Sequence, residues 1–443
     1  MTGEPRQPVD TRTLALVAFS ATGGAFIEYY DFIIYGYAAA SAFPAIFFPR
    51  LPPTQALLFS FLAFGAGFPA RLLGAFLFGH FGDRIGRKFT FVVNLIIVGA
   101  ATCLTGLLPG YAKLGIAAPI LLVVLRILQG VGIGGEFGGA SSLIGEFAAQ
   151  RRRRAFWMSL ATLGVPLGSI GAAVVLLIMS KTFATTGWRV AMLLSVVMVI
   201  PALLARYKLA DSPLFEQLKQ TGKLDALPSF GVLKHHTRPV ILLALVYAFQ
   251  NMGAYVAGTY LISFMRFAGI SLATTATILL IGRFGSLLGI LASGPTADFC
   301  KRRVTAYIGI GLTTLLSYPL TLAVLSKRIT LVTLLEILVN FINLGILLGL
   351  APILTNESFP TKFRYSGAGI SFNFAGILGG MIAPSLLTGL IGKDVFHKWY
   401  YIPIVYGIYA VVAMIALRFI QETRDLKLED LDRAEPALRT VRT

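Results

Sequence analysis

The chain has 443 residues, 56% of them hydrophobic and only 13% charged, with a mean hydropathy of +0.77. So little charge cannot keep that much apolar surface soluble as a globule, which excludes an ordinary soluble enzyme or binding domain and points to a polytopic membrane protein. The net charge of +18 would suggest a nucleic-acid partner in a soluble protein, so its meaning here depends on where the basic residues sit.

A membrane span needs about 20 mostly apolar residues. Such runs fall near 13–41, 53–78, 89–109, 118–146, 155–180, 187–208, 239–265, 272–294, 304–326, 330–355, 366–391 and 399–419. The first dozen residues are polar, and the run after them contains Glu28 and Asp31. That argues against a cleaved signal peptide and for a retained first helix. The polar stretch 209–238 separates six spans from six. The expectation is an all-α membrane protein of twelve transmembrane helices in two six-helix halves. Residues 1–208 form the first half, 209–238 a cytoplasmic linker, 239–420 the second half and 421–443 a cytoplasmic tail.

Of the 38 Lys and Arg, 26 fall in the termini and in the loops after spans 2, 4, 6, 8 and 10, and nine fall in the opposite loops. The positive-inside rule then puts both termini in the cytoplasm, with the protein multi-pass in the plasma (inner) membrane. This placement accounts for the basic balance with no nucleic acid. Cys103 and Cys300 and the four histidines show no disulfide or metal-ligand spacing. No nucleophile elbow or Walker loop is present. The expected cofactor set is therefore empty, the proton serving as coupling ion, and the expected assembly is a monomer. The run Gly130-x-Gly132-x-x-Gly135 matches a dinucleotide fingerprint but lies inside an apolar span with no preceding strand, so it is assigned to helix packing.

Two signatures recur. Gly79, Asp83, Arg87 and Lys88 after span 2 match Gly294, Asp298, Arg302 and Arg303 after span 8, offset by 215 residues. Glu146 stands seven residues before Arg153, and Glu357 seven before Arg364, offset by 211. Homologous halves of this kind typify secondary transporters, which hold the ligand between the halves near mid-membrane. The loop Asp can accept from helix N-terminal N–H groups or pair with Arg on a neighbouring span. Asp83, Arg87, Glu146, Asp298, Arg302, Glu357 and Arg364 are therefore gating candidates, with Glu136 a further one.

Ionisable residues inside spans are costly and mark function. Seven occur: Glu28, Asp31, Arg71, Arg126, Glu136, Arg283 and Glu336. Glu28 and Asp31 are three apart, hence near one helix face. Two carboxylates in a low dielectric do not both ionise readily, so they suit proton coupling. Arg126, one turn from Gln129, could pair with either acid or hold a ligand carboxylate in bidentate fashion. Arg283 is the anion candidate of the second half. Glu336, Asn340 and Asn343 form one stripe of span 10, and Tyr247, Gln250, Asn251 and Tyr255 a similar stripe of span 7. Arg71, close to a loop, reads as gating or packing.

Longer strings carry a family likeness. Glu28-Tyr29-Tyr30-Asp31-Phe32 with Tyr35-Gly36, Arg126-Ile127-Leu128-Gln129-Gly130 with Gly134-Gly135-Glu136, Gly187-Trp188-Arg189, Asp211-Ser212-Pro213-Leu214-Phe215, and Phe359-Pro360 with Arg364-Tyr365-Ser366-Gly367 resemble strings of the metabolite:proton symporters of the major facilitator superfamily. The chain departs at Arg71-Leu72-Leu73-Gly74, where that family usually has R-P-x-G. The resemblance implies the major facilitator fold and uptake of small organic acids or zwitterions with protons. The family's range includes shikimate, citrate, 2-oxoglutarate, proline and betaine. Combined with the residues, it implies a symporter of a small organic anion. Proton coupling falls to Glu28, Asp31 and Arg126. Substrate contacts fall to Arg126, Gln129, Tyr35, Gln250, Asn251, Arg283, Glu336, Asn340 and Asn343. A zwitterion symporter and a drug:proton antiporter of the same fold remain open.

Overall fold

The computed structural model describes residues 10–209, 211–222, 225–392, 394–425 and 428. Nearly all of the expected tail therefore lies outside the described residues. Those described are helical, with no strand among them. The long helices are α1 (Thr11–Ser41), α2 (Gln55–Arg84), α3 (Arg87–Leu107), α4 (Ala117–Phe147), α5 (Arg154–Ile178) and α6 (Phe183–Lys208). They continue with α7 (Thr237–Phe267), α8 (Ala273–Phe299), α9 (Arg302–Leu325), α10 (Ile329–Asn356), α11 (Thr361–Ile391) and α12 (Val395–Arg418). By length and composition, α2 to α12 can each cross a membrane. α1 falls outside that apolar set although its 31 residues suffice in length, because Glu28, Asp31 and its tyrosines dilute its hydropathy. The polar stretch between α6 and α7 holds two short helices, Pro213–Gln220 and Pro228–His235.

Apolar side chains point both inward and outward, as a lipid-facing bundle requires. Leu177, Ile178, Leu315 and Val411 lie exposed on the outside, while one large apolar cluster gathers mainly residues 232–428 and smaller ones gather residues 14–209.

Helices cannot be pressed together by a hydrophobic force inside lipid, so close backbone approach through small residues does that work. At the α2–α4 crossing, a Cβ on Gly74 would fall inside the radius of the Val131 carbonyl oxygen, and one on Gly134 inside that of Arg71. The α8–α10 crossing repeats this with Gly285 and Gly289 against the Ile337 and Phe341 carbonyls. Likewise Gly164 and Gly168 seat α5 on α1, and Gly379 seats α11 on α7. The same helix pairs thus recur six helices further on. Gly74→Ala is expected to cost about 1–3 kcal/mol through overpacking. Gly389→Ala, with open space around it, should be neutral. Thermal melting of the two variants in detergent checks this, and equal melting temperatures would contradict the packing.

Four segments widen into π-helical turns: Phe183–Gly187, Val256–Tyr260, Asn340–Leu347 and Gly376–Met381. Three of the four fall within α7, α10 and α11. Such turns concentrate at functional sites.

Candidate functional site

A small cavity, with a volume of about 20 Å³, lies between the first six and the last six helices. Tyr29 of α1, Phe68 and Arg71 of α2, Asn251 and Tyr255 of α7, and Phe372, Asn373, Gly376 and Ile377 of α11 line it. It has room for about one water, so a ligand enters only when the surrounding helices separate.

The two acids of α1 divide their work. Glu28 ion-pairs with Arg71 at 3.0 Å. Asp31 turns instead toward α3 and α4, accepting from Thr102 Oγ1 at 2.7 Å and from Gln129 Nε2 at 3.5 Å. Three residues of separation rotate a side chain by about 300°, enough to send the two carboxylates to different neighbours. Arg126 therefore meets neither acid directly. Its Nη1 donates to Gln129 Oε1 at 2.5 Å, and its Nε to the Phe64 carbonyl at 3.2 Å. The rings of Tyr35 and Phe64 stand 4.3 and 4.7 Å from its guanidinium carbon. The result is a buried relay from Arg126 through Gln129 to Asp31, whose Oδ1 has no hydrogen-bond partner.

Arg71, expected to serve gating or packing close to a loop, stands elsewhere than that expectation put it. It borders the cavity, with Phe32 and Phe68 5.5 and 5.6 Å from its guanidinium carbon. Phe32, Phe68 and Tyr255 are mutually within about 6 Å, so aromatic faces from both sides surround this cation. Asn251 is at the cavity wall, and Gln250 bonds to it at 3.4 Å. Arg283 donates to Asn340 at 3.2 Å, and Asn340 to Glu336 at 2.7 Å. Asn343 packs against Gly253 of α7, and neither its amide nitrogen nor its oxygen has a partner.

The end carrying the loops after α2, α4, α8 and α10 is sealed by two clasps. In the first, Glu146 Oε1 receives both Arg87 Nη2 and Arg364 Nη1 at 3.1 Å, and its Oε2 accepts from Ser212. Asp83 Oδ1 lies 3.2 Å from Arg87 and accepts, with Oδ2, the backbone N–H groups of Tyr365 and Ser366 at the start of a helical segment of α11. Both expected roles of this Asp, pairing with Arg and capping a helix, are thus present. In the second clasp, Glu357 holds Arg302 at 3.2 Å and Arg154 at 2.8 Å, and accepts from Thr423. Asp298 takes the N–H groups of Ala155 and Phe156, both at 3.3 Å, at the start of α5, and stands 4.0 Å from Arg302. The counterpart of Arg364 is thus Arg154, one residue beyond the Arg153 that spacing selects.

Glu136 pairs with Arg206 of α6, whose Nη1 also donates to the Phe91 carbonyl at 2.5 Å. Gly24 makes room for this pair. It ties α1, α4 and α6 together and is separate from the clasps. Two further groups escaped the sequence reading. Glu422 accepts from the N–H groups of Arg302 and Arg303, as Asp211 accepts from Lys88. The pair Glu422-Thr423 thus repeats Asp211-Ser212 at the same offset of 211 residues as the span 4 and span 10 glutamates, a signal present in the sequence.

Twelve long helices among the described residues, paired crossings that recur, and a cavity between two clasped sets are the architecture of a membrane transporter. The profile of the Major Facilitator Superfamily matches residues 14–384, and the chain belongs to that family. Its place is among the metabolite transporters. It is 37% identical to the inner membrane metabolite transport protein YhjE of Escherichia coli, over 86% of this chain and 89% of that one. It is 32% identical to the shikimate transporter of Escherichia coli, over 86% and 90%. Its fold is similar to the proton:xylose symporter XylE, with a TM-score of 0.76 at 17% identity, over 96% of this chain and 99% of that one. It is a multi-pass membrane transporter of small molecules, not an enzyme.

Proposed function

We propose that the chain is a proton-coupled importer of a small organic anion, a carboxylate, working by alternating access as a monomer with both termini in the cytoplasm. In this reading the clasped end faces the cytoplasm, and the proton is the coupling ion with no other cofactor. The supporting observation is Arg71, a cation at the cavity wall whose ion pair, among the described residues, is with Glu28 at 3.0 Å. A proton arriving at Glu28 frees Arg71 for a ligand carboxylate. Loss of that proton returns Arg71 to Glu28 and expels the ligand. Asp31 passes its own charge state to Arg126 through Gln129. Asn251, Gln250 and the partnerless Asn343 supply polar contacts to hydroxyls or a second carboxylate, and Tyr35 fixes Arg126. Release to the cytoplasm follows when the clasps of Asp83, Arg87, Glu146 and Arg364 and of Asp298, Arg302, Glu357 and Arg154 open.

A zwitterion is the second reading, favoured by the aromatic faces of Phe32, Phe68 and Tyr255. Those faces can hold a ligand ammonium while Arg71 holds its carboxylate.

Purified protein in liposomes, with an imposed pH gradient and labelled shikimate, citrate, proline and betaine, tests both readings. Accumulation that ignores the gradient for every ligand removes symport. Glu28→Gln is expected to lose most gradient-driven accumulation yet keep exchange, because nothing then recaptures Arg71. Normal accumulation in that variant removes Glu28 from the mechanism.

A further inference from the structure

Each half of the molecule contains an arginine and a carboxylate joined by an amide. In the first, Arg126 donates to Gln129 Oε1, and Gln129 Nε2 donates to Thr102 Oγ1 at 2.7 Å and reaches Asp31 Oδ2 at 3.5 Å, with Thr102 itself donating to Asp31 Oδ2 at 2.7 Å. In the second, Arg283 Nη1 donates to Asn340 Oδ1 at 3.2 Å, and Asn340 Nδ2 donates to Glu336 Oε1 at 2.7 Å. The direction of donation is the same in both. In both, one carboxylate oxygen is buried with no hydrogen-bond partner: Asp31 Oδ1 and Glu336 Oε2. The arrangement is built from different positions, since Asp31 is on α1 and Glu336 on α10, so it is no product of the repeated loop motifs.

A carboxylate that is 1% exposed, with an amide between it and its arginine, pays for burial with little direct Coulombic return. A proton on the partnerless oxygen relieves that imbalance. The charged and titratable groups that face Glu336 are Arg283 from α8 and Tyr406 from α12. Arg283 in turn faces Tyr29 of α1, which is part of the cavity wall. The hydrogen-bonded path to Glu336 thus runs from Arg283 through Asn340. Direct contact of Glu336 with an anionic ligand is disfavoured by like charge.

We propose that Glu336 is a further proton-carrying carboxylate, placed in the second half, so that each cycle moves one proton more than the acids of α1 carry. The proposal rests on the proton-coupled reading above. The step transfers only a proton: when the site is open to one side, a hydronium ion gives its proton to Glu336 Oε2 and becomes water, and when it is open to the other side that O–H bond breaks to a water, which leaves as hydronium.

The test needs no ligand in its first arm. Infrared spectra of the purified full-length protein in lipid vesicles are recorded across about pH 5 to 9, following the carbonyl stretch of neutral carboxyl groups. Glu336→Gln is expected to remove one titrating band and Asp31→Asn a different one. A Glu336→Gln spectrum that titrates like the wild type overturns the proposal. If Asp31→Asn changes nothing while Glu336→Gln removes a band, the role of Asp31 fails and the second site stands. Asn340→Leu keeps the acid and removes the bridging amide, so its band should persist with a shifted midpoint. An unshifted midpoint overturns the relay. In the second arm, labelled shikimate is followed with the membrane potential clamped at zero. Each coupled proton sustains about tenfold accumulation per pH unit. Glu336→Gln should lose one such factor. Equal accumulation by wild type and variant overturns proton carriage by Glu336.

Discussion

Asp31→Asn is expected to strip away the roughly tenfold accumulation that each coupled proton contributes per pH unit, and to flatten the pH dependence of uptake. The substitution keeps size and shape. Its side-chain oxygen still accepts from Thr102, which reaches Asp31 Oδ2 at 2.7 Å. What disappears is the ability to change charge. Arg126 then has the same neighbour at every pH, because Gln129 has no alternating charge to report. Substrate binding and exchange should persist, since Arg71 and Glu28 are untouched. The measurement is gradient-driven uptake into liposomes beside counterflow of labelled ligand in the same preparation. Thr102→Val, which removes a hydrogen bond but no charge, should displace the pH profile while keeping accumulation. Wild-type accumulation by the Asn variant would show that Asp31 carries no proton.

Glu146→Ala should open the basic end. The carboxylate receives Arg87 and Arg364 together, and all three side chains are fully buried. Deleting it takes from Arg364 the acid it pairs with and leaves Arg87 to Asp83, with both guanidinium groups still out of solvent. Removing one partner of a buried pair costs about 3–5 kcal/mol, and opening the gap restores water to both. The closed population should therefore fall about 10²- to 10⁴-fold relative to the open one, with little change in melting temperature. Spin labels at Arg84→Cys and at the exposed native Cys300, in a Cys103→Ala background, measure the distance across this end. It should lengthen in Glu146→Ala and in Glu357→Ala. An unchanged distance in both would mean that the clasps do not hold the halves.

Much of this was readable from residue order. Apolar runs of about 20 residues locate the helices because lipid demands them. The offset of the loop motifs exposes the repeated clasps, and intramembrane charge marks the residues of the site. What escaped depends on partners across space. The phase of α1 sends Glu28 and Asp31 to different helices, and no spacing on α1 says that Arg71 waits for one and Thr102 for the other. Arg206 was hidden among the basic residues of a loop, where charge statistics explain it before any partner is sought. Glu422-Thr423 lay in an unremarkable tail, although it copies Asp211-Ser212. The π-helical turns leave no mark in the hydrophobic period, since Asn340–Leu347 is apolar on several faces.

Those wide turns make the two sets of helices mechanically unlike. Val256–Tyr260 follows directly on the cavity residue Tyr255, Gly376–Met381 includes the cavity residues Gly376 and Ile377, and Asn340–Leu347 carries Asn343. A π-helical turn breaks the regular ladder of the helix, so bending stiffness drops there and not elsewhere along the rod. α7, α10 and α11 therefore have such joints, while α1 and α4 run as unbroken α-helix and α2 is interrupted at the single residue Ala66. A ligand can be gripped by flexing one wall against a stiff opposite wall, much as a thumb closes on a palm.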